Sequence, residues 1–169
     1  MPGPHPPDFD CITARLDHPM TIVTVTDGHE RSGCLVGFGT QCSLEPPRYL
    51  VCISKANHTH GVAMEASMMV IHFPHADQRD LARVFGEETG DEVDKFAPVA
   101  WHPGPDGRTP VLDDCPAWFA GRVLSTTDAG DHTGFLLEPT DASCADGDWE
   151  MLQFQRVKDL EAGHPVEPA

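Results

Sequence analysis

A mainly β domain, a barrel or sandwich joined by brief helices, is the fold class this sequence predicts. Three observations carry it. Short β-branched and apolar runs recur along the chain, as strands do. The 16 prolines and 15 glycines fall largely between those runs, where they favour turns and short strands over long helices. Two segments alone carry a capped helix with an inward-facing apolar set. With 169 residues, 40% of them hydrophobic, the chain is long enough for one ordinary core.

The elements follow in order. Residues 1–10, with four prolines, read as a loosely attached arm, and the flexible stretch extends to residue 16. Met20 to Thr26 is dense in Thr, Val and Ile, a strand. Asp27-Gly28 signals a hairpin, with Glu30 to Val36 as its return. Arg48 to Ile53 is a nearly continuous apolar strand, expected to be covered on both faces. Asn57 caps a short helix through Ala66, with Val62, Ala63 and Ala66 inward. Met68 to Phe73 is a strand stopped by Pro74. Asp77 caps a second helix that places Leu81, Val84 and Phe85 on one face.

Glu87 to Glu92 is an acidic loop, and Val99 to His102 a short strand before the turn at Pro103–Gly107. Trp118 to Thr127 and Thr133 to Pro139 form a long hairpin turning at Asp128–Asp131. Met151 to Phe154 closes the set, and the tail from Glu161 frays. No internal repeat is present.

Charge narrows the partners. Lys and Arg total 11 against 27 acids, a net charge of −16, so nucleic acid and anionic membranes are not expected partners. Residues 127–169 hold ten acids against only Arg156 and Lys158, a solubility surface on the plain reading. No apolar run approaches the ~20 residues of a membrane span, and the proline-rich start is no signal peptide, so a cytoplasmic protein is expected. The six cysteines form no C-x-x-C pair and are expected as free thiols, largely buried. His58 with His60, and His72 with His75, lack the spacing of a metal site, and no metal is expected.

Gly33 to Pro47 is the most informative stretch. A strand runs into small, glycine-spaced residues, then a Pro-Pro corner, then the strand from Tyr49 to Ile53. Glycines let backbone approach a flat ligand, leaving N–H groups and the Thr40 and Ser43 hydroxyls to meet its polar edge. Ser54-Lys55-Ala56-Asn57-His58-Thr59 puts hydroxyls and a cation at a helix start, a place for an anion. A ligand-free glycine bulge and an ordinary capped helix are the plain alternatives.

These residues resemble the flavin reductase-like family, the FMN-binding split barrels. The resemblance covers about residues 17–160 and takes in six segments in order. Besides the two just quoted they are His18 to Thr26, Ala76-Asp77-Gln78 with Leu81 and Phe85, Asp94-Lys95-Phe96, and Gly130-Asp131-His132-Thr133. It implies a six-stranded Greek-key split barrel over 17–160, a tail at 161–169, and a homodimer with flavin near the interface. FMN is the implied cofactor and NAD(P)H the implied reductant, with reduced flavin handed to a partner monooxygenase.

By the same resemblance, Gly37, Phe38, Gly39 and Thr40 lie along the isoalloxazine, and Ser54, Lys55, His58 and Thr59 take the ribityl phosphate. Lys95 adds a second cation, a plain surface lysine being the alternative. His132 orients the hydride donor, with Asp131 fixing its tautomer. Hydride transfer to the flavin needs no strong acid or base, so stacking at close range supplies the catalysis. Leu35 and Phe38 stand where the family more often carries hydroxyls, and His58 where it carries Ser or Thr. FMN and NAD(P)H are anions facing an acidic protein. That leaves two rivals: a module that holds flavin or haem without turnover, and an oxidoreductase using a deazaflavin. No Gly-x-Gly-x-x-Gly segment reports on an adenosine half.

Overall fold

A computed structural model describes residues 5–163. Within them the chain forms α1 (Pro7–Thr13), β1 (Thr21–Thr26), β2 (Arg31–Val36), β3 (Gly39–Leu44), β4 (Pro47–Ser54), α2 (His58–Glu65) and β5 (Met68–Phe73). There follow α3 (Arg79–Glu87), β6 (Trp101–Pro103), β7 (Pro110–Leu112), β8 (Ala117–Asp128) and β9 (His132–Cys144).

Seven strands join one antiparallel sheet in the order β2-β1-β5-β8-β9-β4-β3, and β6 pairs with β7 apart from it. β2 and β3 stand at opposite ends of that order yet are one run of chain, interrupted only at Gly37-Phe38. Val36 pairs with Thr21 of β1, whereas the Phe38 carbonyl accepts the Cys52 N–H of β4 at 2.8 Å. The sheet therefore closes on itself at this point. Counting β2 and β3 as one strand that changes partner, this is the six-stranded split barrel.

Alternation along each strand explains the interior. Val23 and Val25 of β1, Met69 and Ile71 of β5, Val51 and Ile53 of β4, and Phe135 and Leu137 of β9 meet in one cluster. α2 packs onto this cluster, adding Val62 and Ala63, with Ala66 just past its end. Its start is capped by Asn57, whose side chain accepts the Thr59 N–H at 2.9 Å. The opposite faces of β1 and β5 are also covered. Ile22 packs with Phe85 of α3, Phe96 and Leu112. Fully buried His72 ties β1 to β7: Nδ1–H donates to the Ile22 carbonyl at 2.9 Å and Nε2 accepts the Leu112 N–H at 3.0 Å. Burial pushes the His72 pKa down to about 4.

Several local expectations change. β4 is covered on one face, since only Val51 and Ile53 among its residues are buried. Asp77 does not cap α3; Gln78 holds that position, and the Asp77 carboxylate bonds the His75 ring at 2.6 Å. The helix begins one residue too late for Asp77 to cap it, and the Gln78 side chain is fixed at that turn by the His75 N–H and the Asp114 carbonyl. Gly39 to Leu44 forms a strand, because Tyr49, Leu50 and Val51 of β4 offer it a ladder. The long hairpin extends further, to Ala117 and Cys144. Met151 to Phe154 makes only isolated bridges, Pro19 to Gln153 and His75 to Met151, before a turn of 3-10 helix.

The expected arm contains α1, which buries none of its residues. Of the tail, residues 161–163 fall within the description and 164–169 outside it. All six cysteines are free; Cys34 and Cys115 are buried, whereas Cys11, Cys42 and Cys144 are exposed. No helix among the described residues is long and apolar enough to cross a membrane. Nor do three or more His, Cys, Asp or Glu side chains there converge as a metal set.

Candidate functional site

The place where β2 becomes β3 is the centre of the candidate site. Phe38 is 58% exposed, a large apolar ring facing solvent. The His132 ring meets it edge-on, with centroids 5.2 Å apart at 60°. β4 and β9 make this possible, since Ser54 pairs directly with His132 and Cys52 bonds the Phe38 carbonyl. His132 Nδ1 is 2.7 Å from the Asp131 carboxylate, the orienting contact expected from the sequence. That contact also holds the Asp131 carboxyl below its usual range.

Lys55 stands at the rim. Its ammonium donates to Asp128 Oδ1 at 2.9 Å and to the Gly130 carbonyl at 2.6 Å, while its own N–H bonds the Asp131 carbonyl at 2.9 Å. The Asp128 carboxyl is lowered, first by the Lys55 hydrogen bond. The cation expected to face a phosphate is thus already shared with the β8–β9 turn. The Ser54 hydroxyl accepts the Ala56 N–H at 3.3 Å. Thr40 is exposed, and its hydroxyl reaches the Gln41 carbonyl at 3.2 Å. Packing accounts for Gly39, where a Cβ would stand 2.9 Å from the Tyr49 hydroxyl; at Gly37 a Cβ would make only ordinary contact, with Met20 Sδ at 3.4 Å.

Three expected phosphate contacts lie elsewhere. Thr59 is buried, its hydroxyl bonded to that of Ser32 at 2.8 Å. Lys95 is buried too, donating to the Gly33 carbonyl at 3.1 Å and the Phe85 carbonyl at 3.2 Å. Burial is the main cause that lowers its pKa. His58 bridges Glu30 Oε2 at 3.0 Å and Asp91 Oδ1 at 2.7 Å, and its pKa is raised, first by the Glu30 hydrogen bond. It lines a separate cavity of about 560 Å³ with Arg31, Asp94, Lys95, Trp101 and Arg108. The Arg31 guanidinium lies over the Trp101 ring there at 5.0 Å and pairs with Asp94 at 3.0 Å.

Sequence motifs missed His18. Its ring lies 5.0 Å from Phe154 and 6.3 Å from Phe38. His18 opens one of the segments that carry the family resemblance but takes no role from it, because its neighbours Phe38 and Phe154 come from distant parts of the chain.

The residues present fit the flat part of a flavin: an exposed aromatic ring, imidazoles, the exposed Thr40 hydroxyl and a switch in strand pairing at a glycine. For the anionic end they offer Ser54 and the shared Lys55. The fold defines a class, the small split barrel, and this wall is an exposed ledge of aromatic and polar side chains on it. A family profile described as flavin reductase like domain matches residues 13–160, and the chain belongs to that family.

Similar proteins fill out the picture. A probable flavin reductase of Rhizobium meliloti (strain 1021) is 33% identical over 116 residues, covering 66% of this chain and 36% of that one. The reductase component of a flavin-dependent trigonelline monooxygenase of Acinetobacter baylyi is 30% identical over 117 residues, covering 67% and 36%. This chain thus spans little more than a third of either relative. The NADH:riboflavin 5'-phosphate oxidoreductase of Streptomyces pristinaespiralis is 28% identical over 170 residues, covering 99% and 94%. Among solved structures, the NADH:FAD oxidoreductase SgcE6 of Streptomyces globisporus superposes with a TM-score of 0.78 at 26% identity, covering 88% and 90%.

Proposed function

We propose that this chain is an NADH-dependent FMN reductase whose flavin lies along Gly37, Phe38, Gly39 and Thr40. The observation that carries the reading is the convergence of Phe38, Ser54, Lys55 and His132 on one exposed wall of a flavin reductase-like barrel. The full-length relative named for NADH and riboflavin 5'-phosphate supports the choice of both reactants. Bound flavin supplies the hydride acceptor and NADH the donor.

The chain's own residues then have definite tasks. Phe38 offers a face for stacking. Lys55 and Ser54 take the phosphate, Lys55 by exchanging Asp128 for the ligand. His132, held by Asp131, presents its remaining ring nitrogen to the nicotinamide side and so fixes the approach. Thr59 and Lys95 act inside, as scaffold.

The partner we propose is a monooxygenase that consumes reduced flavin, as the Acinetobacter relative, a monooxygenase reductase component, suggests. We also propose a homodimer, to be seen in light scattering as twice the 18.4 kDa of one chain. A reducing, cytoplasmic setting suits six unpaired thiols.

The test is an anaerobic absorbance experiment. Protein titrated with FMN should perturb the flavin band near ~450 nm, and NADH should then bleach it. Protein that never perturbs the band sinks the flavin reading. Flavin that binds but stays oxidised with NADH and NADPH would favour the storage module, a role to which the acidic turn around Lys55 is suited.

A further inference from the structure

Phe38 has two imidazole neighbours. The His132 ring lies 5.2 Å from it, and the His18 ring lies 6.3 Å from it at 52°. His18 is held firmly. Its carbonyl accepts the Phe154 N–H at 2.9 Å, and its ring sits edge-on to Phe154 at 83°. The next turn of chain is fixed as well, with the Met20 N–H bonding the Leu152 carbonyl at 2.8 Å. The Nε2 edge lies over Gly37, where a Cβ would come within 3.5 Å of both Nε2 and Cε1. That is ordinary contact distance, and it places the Nε2 edge directly beside the Gly37 backbone.

The other ring nitrogen points to the tautomer. His18 Nδ1 is buried and has no hydrogen-bond partner. A buried N–H without an acceptor is among the rarest defects in proteins, so Nδ1 is assigned the lone pair and Nε2 the proton. The structure thus points an N–H donor at the Gly37-Phe38 ledge, and nothing in the packing around Phe154 requires a polar ring.

Resting on the flavin reading, we propose that His18 is a binding residue of this site. Its Nε2–H donates to an acceptor on the edge of the ring system stacked at Phe38. The contact is to the heterocycle, not to the phosphate, so it serves riboflavin and FMN alike.

Two measurements test this. With ¹⁵N-labelled histidine, the imidazole correlation of His18 should show the Nε2–H tautomer and should move on saturation with riboflavin and with FMN. No movement in protein that binds flavin overturns the contact without any variant. The dissociation constants of both flavins, read by quenching of flavin fluorescence, give the second measurement. His18→Leu should weaken both by about five- to tenfold, one neutral hydrogen bond. His18→Gln, which keeps a donor near the Nε2 position, should recover most of that loss. Lys55→Ala should weaken FMN and spare riboflavin. Equal losses in the Leu and Gln variants would reassign His18 to packing against Phe154 and overturn the proposal. Wild-type protein that binds neither flavin would overturn the flavin reading itself, and this inference with it.

Discussion

Lys55 and Lys95 carry the same ammonium group into opposite surroundings. Lys55 stands in solvent at the rim of the open wall, sharing its charge with Asp128 and the Gly130 carbonyl. Lys95 is buried beneath α3, its charge spread over the Gly33 and Phe85 carbonyls, with the Cys34 thiol nearby. Both follow a motif that suggests an anion site. Only the first has exchangeable partners, because a carboxylate in water is given up easily and a buried carbonyl is not. Position in a motif names candidates; what already holds the charge decides which of them can act.

The comparison breaks most sharply on stability. Lys95→Ala should destabilise the fold by about 3–5 kcal/mol, since it orphans two carbonyls and leaves a void. Lys55→Ala should leave the melting temperature nearly unchanged. Equal melting temperatures for the two variants would erase the distinction.

A second buried cation precursor gives the next effect. His72 has a folded pKa of about 4, below the ordinary ~6.5, so the unfolded chain binds the extra proton between those values. Its contribution is present above pH ~6.5 and is lost as pH falls through about 4, roughly 3 kcal/mol in all. Urea midpoints measured from pH 7 to pH 4 should fall along this limb. In His72→Asn the limb should flatten.

On the open wall the effects are on binding. Lys55→Ala should weaken FMN about tenfold, one charge-assisted bond. Asp128→Asn should do the reverse and tighten FMN about threefold, because it frees Lys55 and removes a negative charge from the rim. Weaker FMN binding in Asp128→Asn would show that the turn supports the ligand rather than competing with it.

The smallest effect belongs to His58. Glu30 and Asp91 raise its pKa, so its ion pairs stabilise fully below pH ~6.5 and fade as pH rises through the folded value. His58→Ala should remove a shallow alkaline decline in stability and leave the acid side to His72.

Most strands, the Asn57 helix start and the first hairpin turn were the legible part of the sequence, whereas the Asp77 cap was not. Thr21 to Thr26 declares itself by β-branching, Asn57 by its cap, and Gly28, at φ 93°, by the turn it permits. The wall was half legible. Phe38, Ser54, Lys55 and His132 come together because local motifs sit on strands that pair as the fold requires. Thr59, Lys95 and His58 were misplaced because sequence shows residue type but not which side of α2 a side chain leaves by, nor which carbonyls wait inside. His18 was invisible for a related reason: its neighbours Gly37, Phe38 and Phe154 meet it only through barrel closure.

That closure gives the wall a further property. The barrel is a bracelet, and Gly37-Phe38 is its clasp, where the chain leaves β1 for β4. A ligand resting on the clasp fastens the ring on which it rests. Its binding free energy therefore passes into the circumference as a whole, and slower amide exchange should appear along β1 and β4, well away from any atom the ligand touches.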